Sequence, residues 1–503
     1  MKKIIPLIMV LFVITSCNLK SKNLIDESSL DYPKIHYSST EHNVGEPVAL
    51  IFKNGIYSMF YKEFSLDKKQ ICPTYLIISK DMIHWQPAQR LTFGGTNLNI
   101  LNRTIFPDPI KSTLYALFIV DPDKNEENDN AHFQLAYSTN QGKTWNDKPE
   151  KVEFPLQLKN DFNPTVCWDE IHTKWIITIV VDQTVKFFSS NDLLNWKFES
   201  TLEKEHQYTV NKWLKATIFP IKKGTYWVMF IDQEFANPRD GSSVQYFIGT
   251  FDGQKFCSPI STKSHWLDYG KDNIYNVICK GLTPSAYPIV FGWKNNTGYT
   301  KIGSMKPFWG SFTTPRTLSV DQYSGEKVLV SQPINEGAGS NPILLKDLNV
   351  EEKLDISVKI TSPITPSIIT LKFKTSEKTR MNFPSRYGIQ FENDNAEKLI
   401  IGYDAFKEWY FVDRNNFSNV IDNSQFKGMD IMPSYNSDSI MVIKLILDDS
   451  SVELFTENGK QVMTENFSPK SKFNKVSLFA ENGIIKVDEL SINSLKSIWN
   501  RKE

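Results

Sequence analysis

Four short stretches recur along the first half of the chain: LIISKDMIHW closing on Trp85, LAYSTNQGKTW on Trp145, KFFSSNDLLNW on Trp196 and FIGTFDGQKF on Phe256. Each is a strand ending in a hydroxyl residue, then a polar turn, then an aromatic ring. The rings are separated by 60, 51 and 60 residues, a spacing too regular for chance and too long for a helical solenoid. Between them lie β-rich runs such as TLYALFIV, KWIITIVV and TYWVMFI, with almost no helical periodicity. Four-stranded units of this length predict the blades of a propeller around a central funnel. Dividing residues 33–330 by the spacing gives about five of them.

After Gln332 the repeat stops, although alternating strands continue (KLDISVKI, SIITLKFKT, KLIIGYD, IMVIKLILD, VELFTE, KVSLFAE) between Asn, Asp and Gly turns. Such a series predicts an antiparallel β-sandwich over residues 331–503. A chain of 503 residues exceeds what one hydrophobic core serves, in keeping with two domains. The expected architecture is all-β: a five-bladed β-propeller followed by a C-terminal β-sandwich, with the terminal SLKSIW packing back onto the body.

The first residues read as a targeting segment: Lys2 and Lys3, the apolar run Ile4 to Ile14, then Thr15 and Ser16 before Cys17. That run is short for a membrane span. The ending ITSC resembles the bacterial lipoprotein lipobox, which implies a signal peptide over residues 1–16, lipidation of Cys17 and a polar tether over 17–32. The expected location is the outer membrane of a Gram-negative-type envelope. Asn18 to Asn23 carry no acidic cluster that would choose its face. An ordinary cleaved signal peptide with an incidental Cys is the alternative. Basic and acidic residues balance at 57 each, so nothing points to nucleic acid as partner. The remaining cysteines show no CxxC spacing; neither a metal site nor a cofactor nor an obligatory disulfide is expected.

One carboxylate calls for explanation. Glu46 stands at the head of GEPVALIFKNGIYSMFYK, a hairpin around Asn54-Gly55 in which an acid is ordinarily solvated. This stretch, with DFNPTVCW, KWLKATIFPI, VQYFIGTFDG, HWLDYGKD, FGWKNN, WGSFTTPRTL, IGYD, FVDR, LDDSSVELFTENGK and LKSIW, resembles in order the motifs of glycoside hydrolase family 32, the levanases, inulinases and invertases. The resemblance runs from about residue 33 to 499, and it implies the same propeller and sandwich.

It also implies where the chemistry stands. Members of the family are retaining glycosidases, which need two carboxyl groups roughly 5 to 5.5 Å apart. The nucleophile is the Asp of a WMNDPNG-like motif, the stabiliser the Asp of FRDP and the acid the Glu of WECPD. Here Glu46 holds the first place, Asn163 (between Phe162 and Pro164) the second, and Leu214 (after Trp213) the third. A Glu for an Asp moves the oxygens by about 1.5 Å, a displacement of a size that can cost about a hundredfold in rate. Asn163 can bond a hydroxyl but brings no charge to an oxocarbenium ion. Leu214 has no proton to give.

Lys62 replaces the family's Gln and is placed to pair with Glu46. Phe93 opens the degenerate FSGS motif. Trp213, Phe162, Asp268, Trp293 and Trp309 remain as candidate substrate contacts, Trp293 or Trp309 as a stacking wall and all of them equally open to a packing role. The sequence thus predicts a lipid-anchored saccharide-binding protein, its partner an oligo- or polysaccharide of the fructan type, working beside other glycan-uptake proteins. Two rivals stay open: a hydrolase using Glu46 with an unrecognised acid, Glu203 or Glu205 among the candidates, and a scaffold that keeps the propeller for protein contacts.

Overall fold

The structure is a computed structural model and describes residues 29–499, apart from 31, 66–71, 94–99, 122–130, 159–161, 204–211, 222–224, 235–241, 260–263, 282–284, 286, 297–309, 335–341, 376–382, 418–426 and 436–438. The lipidation position Cys17, most of the expected tether, Trp309 and Glu205 lie outside the described residues.

Five four-stranded antiparallel blades follow one another. The first comprises β1 Val44–Lys53, β2 Ile56–Glu63, β3 Thr74–Ser79 and β4 Gln89–Leu91, and the second β5 Ile100–Pro107, β6 Leu114–Val120, β7 His132–Ser138 and β8 Glu150–Lys151. The third holds β9 Thr165–Asp169, β10 Lys174–Val181, β11 Thr184–Ser190 and β12 Lys197–Leu202, and the fourth β13 Lys212–Ile221, β14 Tyr226–Glu234, β15 Ser243–Phe251 and β16 Phe256–Cys257. The fifth, β17 Ile274–Lys280, β18 Ile289–Trp293, β19 Arg316–Tyr323 and β20 Glu326–Pro333, closes the ring through a parallel pairing of β17 with β1 at Leu50 and Cys279. The innermost strands β1, β5, β9, β13 and β17 enclose the central channel.

The recurring Ser-turn-aromatic element is the link from third to fourth strand, and its chemistry explains the repeat. In the third blade the Leu193 amide donates to Ser190 Oγ (2.9 Å), those of Leu194 and Asn195 to Asp192 Oδ1 (2.9 and 2.8 Å), and Trp196 Nε1 to the Leu193 carbonyl (2.9 Å). Ser79 and Asp81 build the same turn before Trp85, and Ser138 and Asn140 a turn one residue longer before Trp145, accepting from the Gly142 and Thr144 amides. The side chains supply acceptors that the loop backbone lacks. Trp145 and Trp196 then bury between neighbouring blades.

From Ile343 to Ser494 the described residues form ten further strands around a second apolar core. Charged side chains join the two domains. Arg316 Nη1 donates to Asp268 Oδ2 (2.9 Å), and Nη2 to Glu453 Oε2 (2.5 Å) and Thr464 Oγ1 (2.7 Å). His36 presents its ring nitrogens to Asp448 (2.7 Å) and Glu453 (2.8 Å). SLKSIW does return to the body: Trp499 Nε1 donates to the Pro33 carbonyl (2.6 Å), its ring lying against Tyr32 and Tyr37.

Candidate active site

The inner strands are irregular at one end of the channel. The register of β1 slips on either side of Pro47, that of β5 between Ile100 and Asn102, that of β13 around Leu214 and that of β17 between Ile274 and Val277. Bulges of this kind turn side chains out of strict alternation, and so four blades aim polar groups at one spot. Gly45 makes the first possible: a Cβ there would stand 2.6 Å from the Lys62 carbonyl oxygen. Asn54-Gly55 closes the hairpin that brings Lys62 back over Glu46, both Asn54 and Gly55 having positive φ.

The polar groups of the floor satisfy one another. Lys62 Nζ donates to Glu46 Oε1 and to Asn102 Oδ1 (2.8 Å). Asn102 Nδ2 donates to the Phe162 carbonyl (2.8 Å) and to Asn163 Oδ1. Asn163 Nδ2 in turn reaches the Leu214 carbonyl (3.1 Å). One chain of bonds thus crosses from the first blade to the fourth. Burial works against the charge on Glu46, but Lys62, with Lys215 and Arg103 behind it, holds its carboxyl below the usual range.

A second carboxyl stands near the acid position. Asp232 lies directly across from Lys215 in the β13–β14 pairing and accepts the Tyr275 amide at 2.9 Å. Burial pushes its pKa up to about 6, against the pull of Lys215 and the Tyr275 amide and with the repulsion of Glu46. Lys215 Nζ donates to the Asn276 carbonyl (3.2 Å). Deeper in the channel, Lys280 Nζ donates to the carbonyls of Val166 (2.8 Å) and Ile105 (3.5 Å).

The cavity measures about 1070 Å³ and runs along the channel axis from Glu46, Lys62, Asn102, Asn163 and Lys215 to the inner hairpin turns at its other mouth. Of the expected site residues, Glu46, Lys62 and Asn163 line it. Leu214 is half-buried beside Lys215, and its carbonyl rather than its side chain joins the network. Phe93, Phe162 and Trp213 stand behind the wall, buried in the cores between blades, Trp213 from β13 and the two phenylalanines from the segments just outside the strands. Trp293 is not a stacking wall: it is 3% exposed and its Nε1 donates to the Val44 carbonyl (2.9 Å). Asp268 belongs to the domain interface through Arg316 and Thr464. Glu203 is exposed.

Sequence reasoning missed Asn102, Arg103, Lys215, Asp232 and Lys280. The available signal was a polar residue inside an apolar strand, as in YWVMFIDQE and IYNVICK.

The family model described as glycosyl hydrolases family 32 N-terminal domain matches residues 36–333, and that of the family 32 C terminal matches 344–496. The chain belongs to glycoside hydrolase family 32. Among its relatives, a levanase of Bacillus subtilis (strain 168) is 25% identical over 99% of this chain and 76% of its own length. An extracellular exo-inulinase of Aspergillus awamori is 23% identical over 92% of this chain and 94% of its own length. The crystal structure of exo-inulinase from Aspergillus awamori superposes with a TM-score of 0.80 at 20% identity, over 94% of this chain and all of that one. Fructan 1-exohydrolase IIa from Cichorium intybus gives 0.72 at 16%, over 93% and 98%. These structural likenesses speak for the fold, the family's propeller and sandwich.

Proposed function

We propose that this family 32 protein binds a saccharide of the fructan type without hydrolysing it, as a component of glycan utilisation held to the outer membrane through a lipidated Cys17. One observation carries the reading: the floor that would need a free nucleophile and a proton donor is closed on itself. Glu46 is engaged by Lys62, both ends of the Asn163 amide are engaged by Asn102 and Leu214, and the place of the acid is held by Leu214. Loss of general acid catalysis alone costs typically about 10² to 10⁴ in rate. The named relatives act on levan and inulin, which supports a saccharide of that class, and a cavity of about 1070 Å³ with the Asn102 and Asn163 amides at one end is suited to hydroxyl recognition.

Affinity electrophoresis of the mature chain on levan and inulin gels tests the binding. Retardation by at least one fructan is expected, and mobility unchanged by every glycan would favour a scaffold instead. A second reading rests on Asp232, a buried acid whose pKa of about 6 suits a proton donor. Under that reading both Asp232→Asn and Glu46→Gln abolish a measurable release of reducing sugar.

A further inference from the structure

The channel core is unbalanced in charge. Lys62, Arg103, Lys215 and Lys280 line it, against Glu46 on the wall and Asp232 behind it. At the far mouth, by contrast, Lys53 and Lys111 meet Asp108 and Glu170. Among the described residues, the core cations therefore exceed their carboxylates by two. Uncompensated charge withdrawn from water is costly, and proteins ordinarily pair it or bind a counter-charge.

Among the described residues, three of these cations, Arg103, Lys215 and Lys280, have no acidic partner in any hydrogen bond. Arg103 is only 7% exposed; its guanidinium reaches Thr74 and the Cys72 carbonyl, and its Nε has no hydrogen-bond partner among the described residues. Lys280 bonds main-chain carbonyls, which solvate the ammonium without neutralising it. Repulsion adds to burial. The charge of Arg103 opposes that of Lys62, and the charge of Lys215 opposes that of Lys280, whose pKa burial already draws down to about 8. A floor of this sign also opposes the positive charge of an oxocarbenium ion, in keeping with binding rather than cleavage.

We propose that the channel takes a saccharide bearing an anionic oxyacid substituent, a sulfate, phosphate or carboxylate, whose charge is received by Arg103, Lys215 and Lys280. Arginine meets such groups through its planar fork and lysine as a point charge, while Asn163 and Asn102 face the hydroxyls. This assignment rests on the reading of the funnel as a saccharide site and names its ligand class.

The test is titration calorimetry of the full mature chain with inulin, sulfated inulin and inorganic sulfate. Sulfated inulin should bind at least about tenfold more tightly than inulin, with an affinity that falls as salt is raised. Lys280→Met should weaken it by about ten- to a hundredfold, the range of one charge-assisted hydrogen bond, and Lys280→Arg should recover most of it. Should Lys280→Met fail to fold, Lys215→Met and the salt dependence of the wild type carry the same expectation. Equal binding of neutral and sulfated inulin would overturn the charge assignment and leave saccharide binding intact. Failure of both polymers would overturn the saccharide reading itself. Capture of inorganic sulfate as tightly as of the sulfated polymer would show a site for a free anion and refute the saccharide assignment.

Discussion

Replacing Lys62 by Met removes the cation that engages Glu46 and one of the donors to Asn102. The two charged side chains are only 13% and 22% exposed, so the pair is closer to a buried than to a surface one. Breaking a buried pair from one side costs about 3–5 kcal/mol and an exposed one at most about 1. The partial exposure places Lys62→Met near 3 kcal/mol, about 1 of it from the lost Asn102 bond. Glu46→Gln, which leaves the lysine ammonium behind, should cost about 2 kcal/mol. Removing both charges strands neither. The double variant should therefore lose about 3 rather than about 5 kcal/mol, a coupling of about 2 kcal/mol. Urea unfolding followed by fluorescence of the chain's 12 tryptophans measures all four species. Additivity within about 0.5 kcal/mol would mean that Glu46 and Lys62 do not engage one another, and the account of a self-satisfied floor would fail.

Arg316, 1% exposed and shared among Asp268, Glu453 and Thr464, ties the propeller to the sandwich; Arg316→Met should cost about 3–5 kcal/mol and split a single calorimetric transition into two. Burial opposes the charge on Asp448, yet the His36 imidazole, aided by Lys294, holds its pKa down to about 2, and Glu453 is likewise depressed by Arg316 and His36. Folded values below the unfolded ones mean stability that is complete above about pH 5 and lost as pH falls toward 2, with about 2 kcal/mol from Asp448 alone; denaturant midpoints at pH 6, 4 and 3 should fall in that order. Lys280, drawn down to about 8 by burial and Lys215 against the opposing pull of Cys167, loses its charge as pH rises past that value. Affinity for an anionic saccharide should then drop several-fold between pH 7 and 9.5, a decline absent in Lys280→Arg.

The blades were legible because their third-to-fourth strand turns need side-chain acceptors, and that need prints a Ser six or seven residues, and an Asp or Asn four or five, before an aromatic ring, as at Ser190, Asp192 and Trp196. The contact between Glu46 and Lys62 was legible for a similar reason: an Asn-Gly turn sets the register of the hairpin that joins them. The retained aromatic positions misled. Trp293 keeps its place by packing and by the indole bond to the Val44 carbonyl, and Trp213 by packing in the core, which a linear motif cannot tell from ligand contact. The rest of the floor came from bulges. Where Asn102 or Lys215 points depends on a register slip set by tertiary contact, and Asp232 arrives from the second strand of its blade, outside every motif. The excess of positive charge in the channel is likewise invisible in a chain whose overall charge is balanced.

Incubating the protein with levan, inulin and sucrose, and following reducing sugar beside fructan retention on the same preparation, puts binding and cleavage side by side. The account predicts retention with no sugar released above a heat-denatured control. Sustained release that disappears in Glu46→Gln would contradict it.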